Sequence, residues 1–482
     1  MTKSMPWADP DAADLPLVVD VDGTLLQTDI LFESFLALLA NRPWQAVRAM
    51  LALLRGKAAL KAFIAERAEI PVGSLPVNQA VLDFLHQQKA KGRKIYLASA
   101  SDRRPVAALA EHLGLFDGVF ASDGALNLAG SAKAAALCAE FGDKGFDYAG
   151  DSVVDLVVWR RARKAILVNA APRLIVRAER EFGAVLCIPG QRPQLPDYVW
   201  SLRMHQWLKN LLIFVPALAA HQWGHLIDIG LPAFLSFSLC ASSVYLLNDM
   251  LDLKDDRTHP TKCNRPFARG ALPLSQGFLL VPASLSLAAV LAAWFLPLDF
   301  VGVLATYWGM TLGYSLYLKR RMLVDVVMLT CLYGLRILAG GVAMKVTPSP
   351  WLLGFSLFLF FSLALVKRCT ELIDRADAGS AETAGRAYQR DDLPILEAMS
   401  AASGYAAVVV MALYINSAAV VALYRRPEIL WFICLILVYW ISRVLLLTRR
   451  GEMHDDPVVF AATDRISLLC GASVAAVLLA SL

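Results

Sequence analysis

The sequence predicts a multidomain chain: a soluble α/β domain over residues 1–195, a linker over 196–207, and an all-α membrane bundle over 208–482. Three observations carry this. Charge is interleaved with apolar residues up to about residue 195, whereas the remainder runs in long apolar segments. The first part alternates short apolar runs ending in carboxylates with helical patterns, which is how a parallel sheet with crossover helices reads. The second part repeats stretches long enough to cross a bilayer. With 57% hydrophobic residues and a mean hydropathy of +0.52, the chain is too apolar for a purely soluble protein.

Composition also excludes classes. A net charge of +5 is modest and suits basic membrane loops better than a nucleic-acid binder. The eight cysteines show no CxxC or Cys/His spacing, so neither a zinc site nor a disulfide framework is expected. Met1 to Leu15 is polar and acidic without a signal-peptide core, which predicts a cytosolic first domain.

In the first domain, Leu17-Val18-Val19-Asp20-Val21-Asp22-Gly23-Thr24 reads as a buried strand entering a turn, with Gly23 permitting the sharp change of direction. Two further strands end in polar groups: Lys94 to Ser99, and Phe146 to Asp151 with Asp155 just beyond. Lys133 opens a helical stretch after Gly130-Ser131. In a parallel sheet such strand ends share one crevice, where ligands bind. Residues 29–90 show helical periodicity through Leu36, Leu39, Trp44, Val47, Leu51 and Leu54, and read as an inserted helical cap. From Ile188 the text turns to Pro189, Gly190, Pro193 and Pro196, a linker. Trp200, Arg203, His205, Trp207 and Lys209 then suit the headgroup region.

Nine stretches read as spans: 208–224, 229–249, 275–296, 299–318, 323–343, 350–368, 398–423, 428–447 and 458–481. With a cytosolic N-terminus, the inner connections hold Lys254, Arg257, Lys262, Arg265 and Arg269; Lys319, Arg320 and Arg321; Lys367, Arg368, Arg375, Arg386 and Arg390; and Arg449 with Arg450. The outer ones offer Lys345, Arg425 and Arg426, so positive charge lies inside. Gly309-x-x-x-Gly313 reads as a close helix contact. Arg336, at bilayer depth, should face a polar cavity.

The second span ends in Asn248, Asp249, Asp252, Asp255 and Asp256. Asn248, Asp252 and Asp256 are four apart and share one helix face, with Asp249 at its edge. Two such carboxylates about 4 Å apart repel by roughly 4 kcal/mol at an effective dielectric of about 20. A divalent cation on diphosphate oxygens relieves this, and Mg²⁺ prefers that ligand set. Lys254, Arg257, His259, Lys262, Arg265 and Arg269 are near enough in sequence to grip phosphate. Tyr314, Lys319, Asp325, Lys367, Arg368, Glu371 and Asp374 cluster at the same inner ends of the helices.

The motifs of the first domain resemble those of the haloacid dehalogenase superfamily, a Rossmann-like α/β fold, in order along the chain. The resemblance implies that Asp20 is the phosphoryl-accepting nucleophile and Asp22 the acid and base. It further implies that Ser99 and Lys133 hold phosphoryl oxygens, and that Asp20, Asp151 and Asp155 serve Mg²⁺.

Asn248-Asp249-x-x-Asp252-x-x-x-Asp256 with His259-Pro260-x-Lys262-x-x-Arg265-Pro266 is similar to the first motif of the UbiA prenyltransferase superfamily, and within it to decaprenyl-phosphate phosphoribosyltransferases, over about residues 200–482. Where many members carry a second aspartate-rich motif, this chain reads Lys367-Arg368-Cys369-Thr370-Glu371-Leu372-Ile373-Asp374, which favours a substrate with an extra phosphate. The resemblance implies a multi-pass enzyme of a bacterial inner membrane, with both active sites on the cytoplasmic side. It implies transfer of phosphoribose from 5-phosphoribosyl diphosphate to decaprenyl phosphate, with the first domain removing the 5-phosphate. Asn248, Asp249, Asp252 and Asp256 would hold Mg²⁺, with Asp252 and Asp256 essential to the chemistry. Lys254, Arg257, Lys262, Arg265, Tyr314, Lys319, Lys367, Arg368 and Glu371 would meet phosphate. Two alternatives stay open: prenyl transfer to an aromatic acceptor beside an independent phosphatase, and a phosphatase anchored by an inert bundle. The sequence leaves open whether the protein is a homo-oligomer.

Overall fold

The computed structural model describes residues 15–123, 126–190, 192–377, 388–453 and 456–482. The expected polar N-terminus up to residue 14 and the loop cation Arg386 lie outside the described residues. The chain packs as two compact units, Met1–Ser201 with Leu246–Leu280, and Leu202–Tyr245 with Val281–Leu482. The first unit's opening segment ends at Ser201, and residues 246–280 return to it.

The first unit is built on six parallel strands: β1 (Leu17–Asp20), β2 (Ile95–Asp102), β3 (Gly118–Ser122), β4 (Asp147–Gly150), β5 (Ala165–Val168) and β6 (Leu186–Ile188), in the order β3-β2-β1-β4-β5-β6. Leu17, Val18 and Val19 are fully buried, because a central parallel strand has both faces covered. Val18 lies opposite Tyr96 on one side and Tyr148 on the other. Strand order reverses beside β1, so the carboxyl ends of β1, β2 and β4 frame the crevice.

Between β1 and β2 stand four helices: α1 (Ile30–Asn41), α2 (Pro43–Ala52), α3 (Lys57–Arg67) and α4 (Gln79–Ala90). Asp29 caps α1 by accepting from the amides of Leu31 at 2.8 Å and Phe32 at 3.2 Å. The expected periodicity therefore gives helices, but Trp44, Val47, Leu51 and Leu54 face outward, while Ala46 and Ala49 are the buried residues of α2. Further helices alternate with the later strands: α5 (Arg103–Leu113), α6 (Ser131–Phe141), α7 (Leu156–Trp159) and α8 (Pro172–Phe182). Helix α9 (Leu195–Ser201) starts one residue before the expected linker and runs into it.

The second unit begins in 3₁₀ turns over Met204–Phe214 and the short α10 (Val215–Ala219). The expected span at 208–224 is thus broken, with Pro216 in α10 and His221 at a positive φ of 55° just past it. The long helices are α11 (Leu231–Leu251), α13 (Leu274–Phe295), α14 (Leu298–Leu316), α15 (Val324–Met344), α16 (Pro350–Asp377), α17 (Leu393–Ile415) and α19 (Trp431–Arg449). Shorter α18 (Ala418–Leu423) lies between α17 and α19, and the bent pair α20 (Pro457–Thr463) and α21 (Arg465–Ser481) follows, while α12 (Leu253–Thr258), the end of α11 and the start of α13 belong to the first unit.

Among the described residues, six helices are long and apolar enough to cross a membrane, or seven if the bent pair counts as one. The expected nine is not reached. Helix α14 is long enough, but its glycines, threonines and tyrosines dilute its apolar content. The expected glycine contact also moves: a Cβ at Gly309 or Gly313 meets no described atom within 4 Å, whereas one at Gly340 would lie 1.9 Å from the Ile213 carbonyl oxygen. Gly340 therefore admits the turns of Met204–Phe214 against α15.

Candidate active sites

In the first unit, Asp20 ends β1 and is buried beside Lys133, whose Nζ donates to Asp20 Oδ1 at 2.7 Å and to Tyr148 Oη at 2.9 Å. Lys133 opens α6, so a helix start carries the cation to the strand end. The Tyr148 hydroxyl in turn donates to Asp155 Oδ1 at 2.9 Å. Asp155 Oδ2 accepts from the Ser152 hydroxyl at 2.8 Å and the Ser152 amide at 3.0 Å. Carboxylate oxygens of Asp20, Asp151 and Asp155 lie within 4.8 Å of one another. Only glycine fits at residue 23: its φ is +78°, and a Cβ there would stand 2.3 Å from Asp151 Oδ2.

Three carboxylates facing one ammonium leave an excess of two negative charges. Burial pushes the Asp20 carboxyl up to about 7, with Lys133 opposing and Asp155 adding to the rise. Burial, then the Asp20 and Asp155 charges, push Asp151 up to about 8. Lys133 is held above the usual lysine range, because the Asp20 and Asp155 charges outweigh its burial. A divalent cation has the charge this donor set lacks, and oxygen ligands are what Mg²⁺ takes.

Asp22 points the other way. Its Oδ1 accepts from the Ile30 amide at 2.7 Å, and its Oδ2 from Ser101 at 2.8 Å and Ser99 at 3.1 Å. Burial, followed by the Asp29 charge, pushes it up to about 6. Ser99 is therefore brought to Asp22, where it also accepts from the Ser101 amide at 2.9 Å. Sequence reasoning missed Ser101, Tyr148 and Lys61. Lys61, on α3, reaches the Ala100 carbonyl at 2.5 Å and Asn127 Oδ1 at 3.0 Å. It makes no ion pair among the described residues, and burial holds its ammonium below the usual range against the Asp22 and Asp29 charges. Its only sequence signal was a lysine in a stretch without acids.

The acidic motif also lies in the first unit. The backbone loosens at Asp252 between α11 and α12, yet the Asp252 amide still reaches the Asn248 carbonyl at 2.9 Å and the Asp256 amide the Asp252 carbonyl at 2.8 Å. The three positions thus keep one-turn spacing, as expected. Arg265 Nη1 bridges Asp249 Oδ1 at 3.1 Å and Asp256 Oδ2 at 2.7 Å. Burial pushes Asp256 up to about 6, with Arg265 opposing and Asp249 adding. Asn248 Oδ1 is buried and has no hydrogen-bond partner among the described residues. A buried acceptor left bare beside buried acids fits a cation ligand.

Arg257 forms a buried bidentate pair with Glu33 of α1, Nη2–Oε1 2.6 Å and Nη1–Oε2 3.1 Å, and Nε donates to the Ala268 carbonyl at 3.0 Å. Lys254 is exposed on α12, and Lys262 is half-buried in the turn that follows.

In the second unit, Arg368 is also occupied. Its Nε lies 2.7 Å from Asp325 Oδ2, an ion contact off the hydrogen-bond axis; Nη1 donates to Glu371 at 2.6 Å and Nη2 to Tyr314 at 3.1 Å. Tyr388 closes the network by donating to Asp325 at 2.5 Å. Buried Asp325 and half-buried Glu371 already take the Arg368 charge. Lys367 Nζ stands 3.8 Å from Asp456, which also pairs with Lys209. Lys319 is half-buried after α14. Arg336 is buried with neutral partners, Asn210 Oδ1 at 2.9 Å and the Tyr307 hydroxyl at 3.0 Å, and lies over the rings of Phe237, Tyr307 and Tyr333.

Comparison with known proteins agrees with both halves. Residues 17–160 match the haloacid dehalogenase-like hydrolase family, and residues 211–469 match the UbiA prenyltransferase family. An uncharacterized protein, y4nM, of Sinorhizobium fredii is 36% identical over 466 residues, 96% of this chain and 90% of that one. Nodulation protein NoeC of Azorhizobium caulinodans is 34% identical over 277 residues, 57% of this chain and 89% of that one. Decaprenyl-phosphate phosphoribosyltransferase of Mycobacterium tuberculosis is 35% identical over 180 residues, 36% of this chain and 59% of that one. With more than half its length matched, a helical bundle of apolar spans and a parallel-sheet unit with clustered acids, the chain belongs to the UbiA prenyltransferase family and carries a haloacid dehalogenase-like hydrolase domain ahead of it.

Proposed function

We propose that this protein is a bifunctional enzyme of the bacterial inner membrane, with both active sites on the cytoplasmic side. It transfers phosphoribose from 5-phosphoribosyl diphosphate to decaprenyl phosphate, then removes the 5-phosphate to leave decaprenyl-phosphoryl ribose, a precursor of cell-wall arabinose. The observation that carries this reading is the pairing in one chain of an acidic motif, ending an apolar helix with Asn248 Oδ1 unpartnered among the described residues, and a phosphatase-type acid cluster. The likeness to a mycobacterial decaprenyl-phosphate phosphoribosyltransferase supports the choice of donor and acceptor.

Mg²⁺ would be held by Asp20 and Asp151 with Asp155 behind, and by Asn248, Asp249, Asp252 and Asp256, where it would neutralise phosphate oxygens. Asp20 attacks the 5-phosphate while Lys133 holds a phosphoryl oxygen; Asp22 protonates the leaving oxygen, then takes a proton from the attacking water. Ser99 and Ser101 orient the Asp22 carboxyl. At the acidic motif, Arg265 positions Asp249 and Asp256, while Lys254 and Lys262 neutralise the departing diphosphate. Lys367, Lys319 and Tyr314 address the acceptor's phosphate. Fusion in one chain raises the effective concentration of one site for the other's product to about millimolar.

The test supplies membranes containing the full chain with labelled 5-phosphoribosyl diphosphate and decaprenyl phosphate. Labelled lipid is expected, Asp252→Asn should abolish it, and Asp20→Asn should leave it phosphorylated. Prenyl transfer to 4-hydroxybenzoate without labelled lipid would overturn the proposal.

A further inference from the structure

The cap helix α2 packs inside out. Its small residues Ala46 and Ala49 are buried against the cap, whereas Trp44 is 82% exposed, Leu51 63% and Leu54 86%. Val47 and Met50 are exposed on the same stripe, so at 3.6 residues per turn one whole face of the helix is apolar and uncovered. The exposures of Trp44 and Leu54 are close to those of Trp294, 80%, and Leu298, 82%, in the helical bundle. An apolar face of this size rimmed by polar residues marks an interaction surface.

Charge identifies what covers it. From residue 34 to residue 65 the chain has no Asp or Glu, and Arg42, Arg48, Arg55 and Lys57 are exposed around the stripe. A helix with Trp and Leu on one face and cations at its edges is the composition that lies in a bilayer interface and favours anionic headgroups. A two-fold contact with a second copy would set these cations against their own equivalents. We propose that the outward face of α2, with the turn at Leu53–Arg55, is a membrane-surface anchor that seats the cap on anionic lipid. The partner is the lipid surface of the membrane that the chain's own helices cross. The cap would thereby be held at the level where a phosphorylated lipid headgroup emerges.

The experiment uses the full chain in nanodiscs containing phosphatidylglycerol, with Leu54→p-benzoylphenylalanine as a photoprobe and Ala46→p-benzoylphenylalanine as the buried control. Illumination should attach phospholipid at position 54 and not at 46. Attachment to a second copy, to another part of the same chain, or to no lipid would overturn the anchor. A second arm compares Trp44→Gln with Leu54→Gln combined against the unaltered chain. Hydrolysis of soluble p-nitrophenyl phosphate should be unchanged, while hydrolysis of a vesicle-borne lipid phosphate falls several-fold. Equal rates on vesicles would also overturn it. Only this second arm rests on the proposed lipid substrate; if that substrate fails while lipid still attaches at position 54, the anchor stands.

Discussion

Asp147 begins β4 where two guanidinium groups converge. Arg163 donates to it at 3.0 and 2.8 Å, Arg93 pairs with it from the other side, and both Arg93 and Asp147 are buried. Burial alone would raise its pKa, but the bonds to Arg163 and Arg93 prevail and hold the carboxyl below the usual range. Because the folded value is depressed, its contribution is complete above the unfolded value of about 3.9 and disappears as pH falls through the folded value. Asp147→Asn should destabilise the domain by about 3–5 kcal/mol near neutrality, by leaving Arg93 a buried, unbalanced charge. In denaturant titrations the gap between variant and parent should close below about pH 4. Lys61 makes a functional prediction. Among the described residues one of its three hydrogens has no acceptor, and its ammonium feels the Asp22 charge, so we propose that it meets a second negative charge on a substrate. Lys61→Met should raise KM for ribose 1,5-bisphosphate several-fold and leave p-nitrophenyl phosphate kinetics unchanged. Asp20, Asp22, Lys133 and Asp151 were legible as polar residues at strand ends and a helix start. Lys61 and Tyr148 were not, because their meaning depends on which way α3 and β4 face.

At the scale of elements, α1 joins two sites. The Asp22 carboxyl accepts from the amide of Ile30, its first residue, and Glu33, one turn on, holds Arg257 of α12, next to Asp256. Glu33→Gln or Arg257→Ala should each destabilise the first unit by about 3–5 kcal/mol, since each leaves an opposite charge buried. The double variant should be less damaged than the sum, with a coupling of about 1–3 kcal/mol in urea unfolding. This pair could not be read from the sequence: its partners lie 224 residues apart and carry only ordinary charges. The central strands were legible, because burial on both faces writes an unbroken apolar run such as Leu17-Val18-Val19. The outward stripe of α2 was half legible. Periodicity gives the helix, but not which side the cap covers. The failed span at 208–224 shows the same limit, since apolar count alone does not register that its turns are 3₁₀ and that Pro216 interrupts it.

The unit carrying the phosphatase-type site is discontinuous in sequence. It draws on residues Met1–Ser201 and returns for Leu246–Leu280, where Arg257 neutralises Glu33 and Phe278 packs on Phe32 and Phe35 with ring centroids 5.1 and 6.1 Å apart. A fragment of residues 1–201 should therefore unfold at lower denaturant than the same unit in the full chain, by about 3 kcal/mol, and Glu33→Gln should recover part of that loss. An equal midpoint for fragment and full chain would contradict this. The ribosome delivers the hydrolase half first, yet its buried glutamate has no arginine until the segment after α11 emerges. The earliest-made portion thus completes its packing only once the bundle's helices have begun to enter the bilayer, which ties maturation of one enzyme to successful insertion of the other.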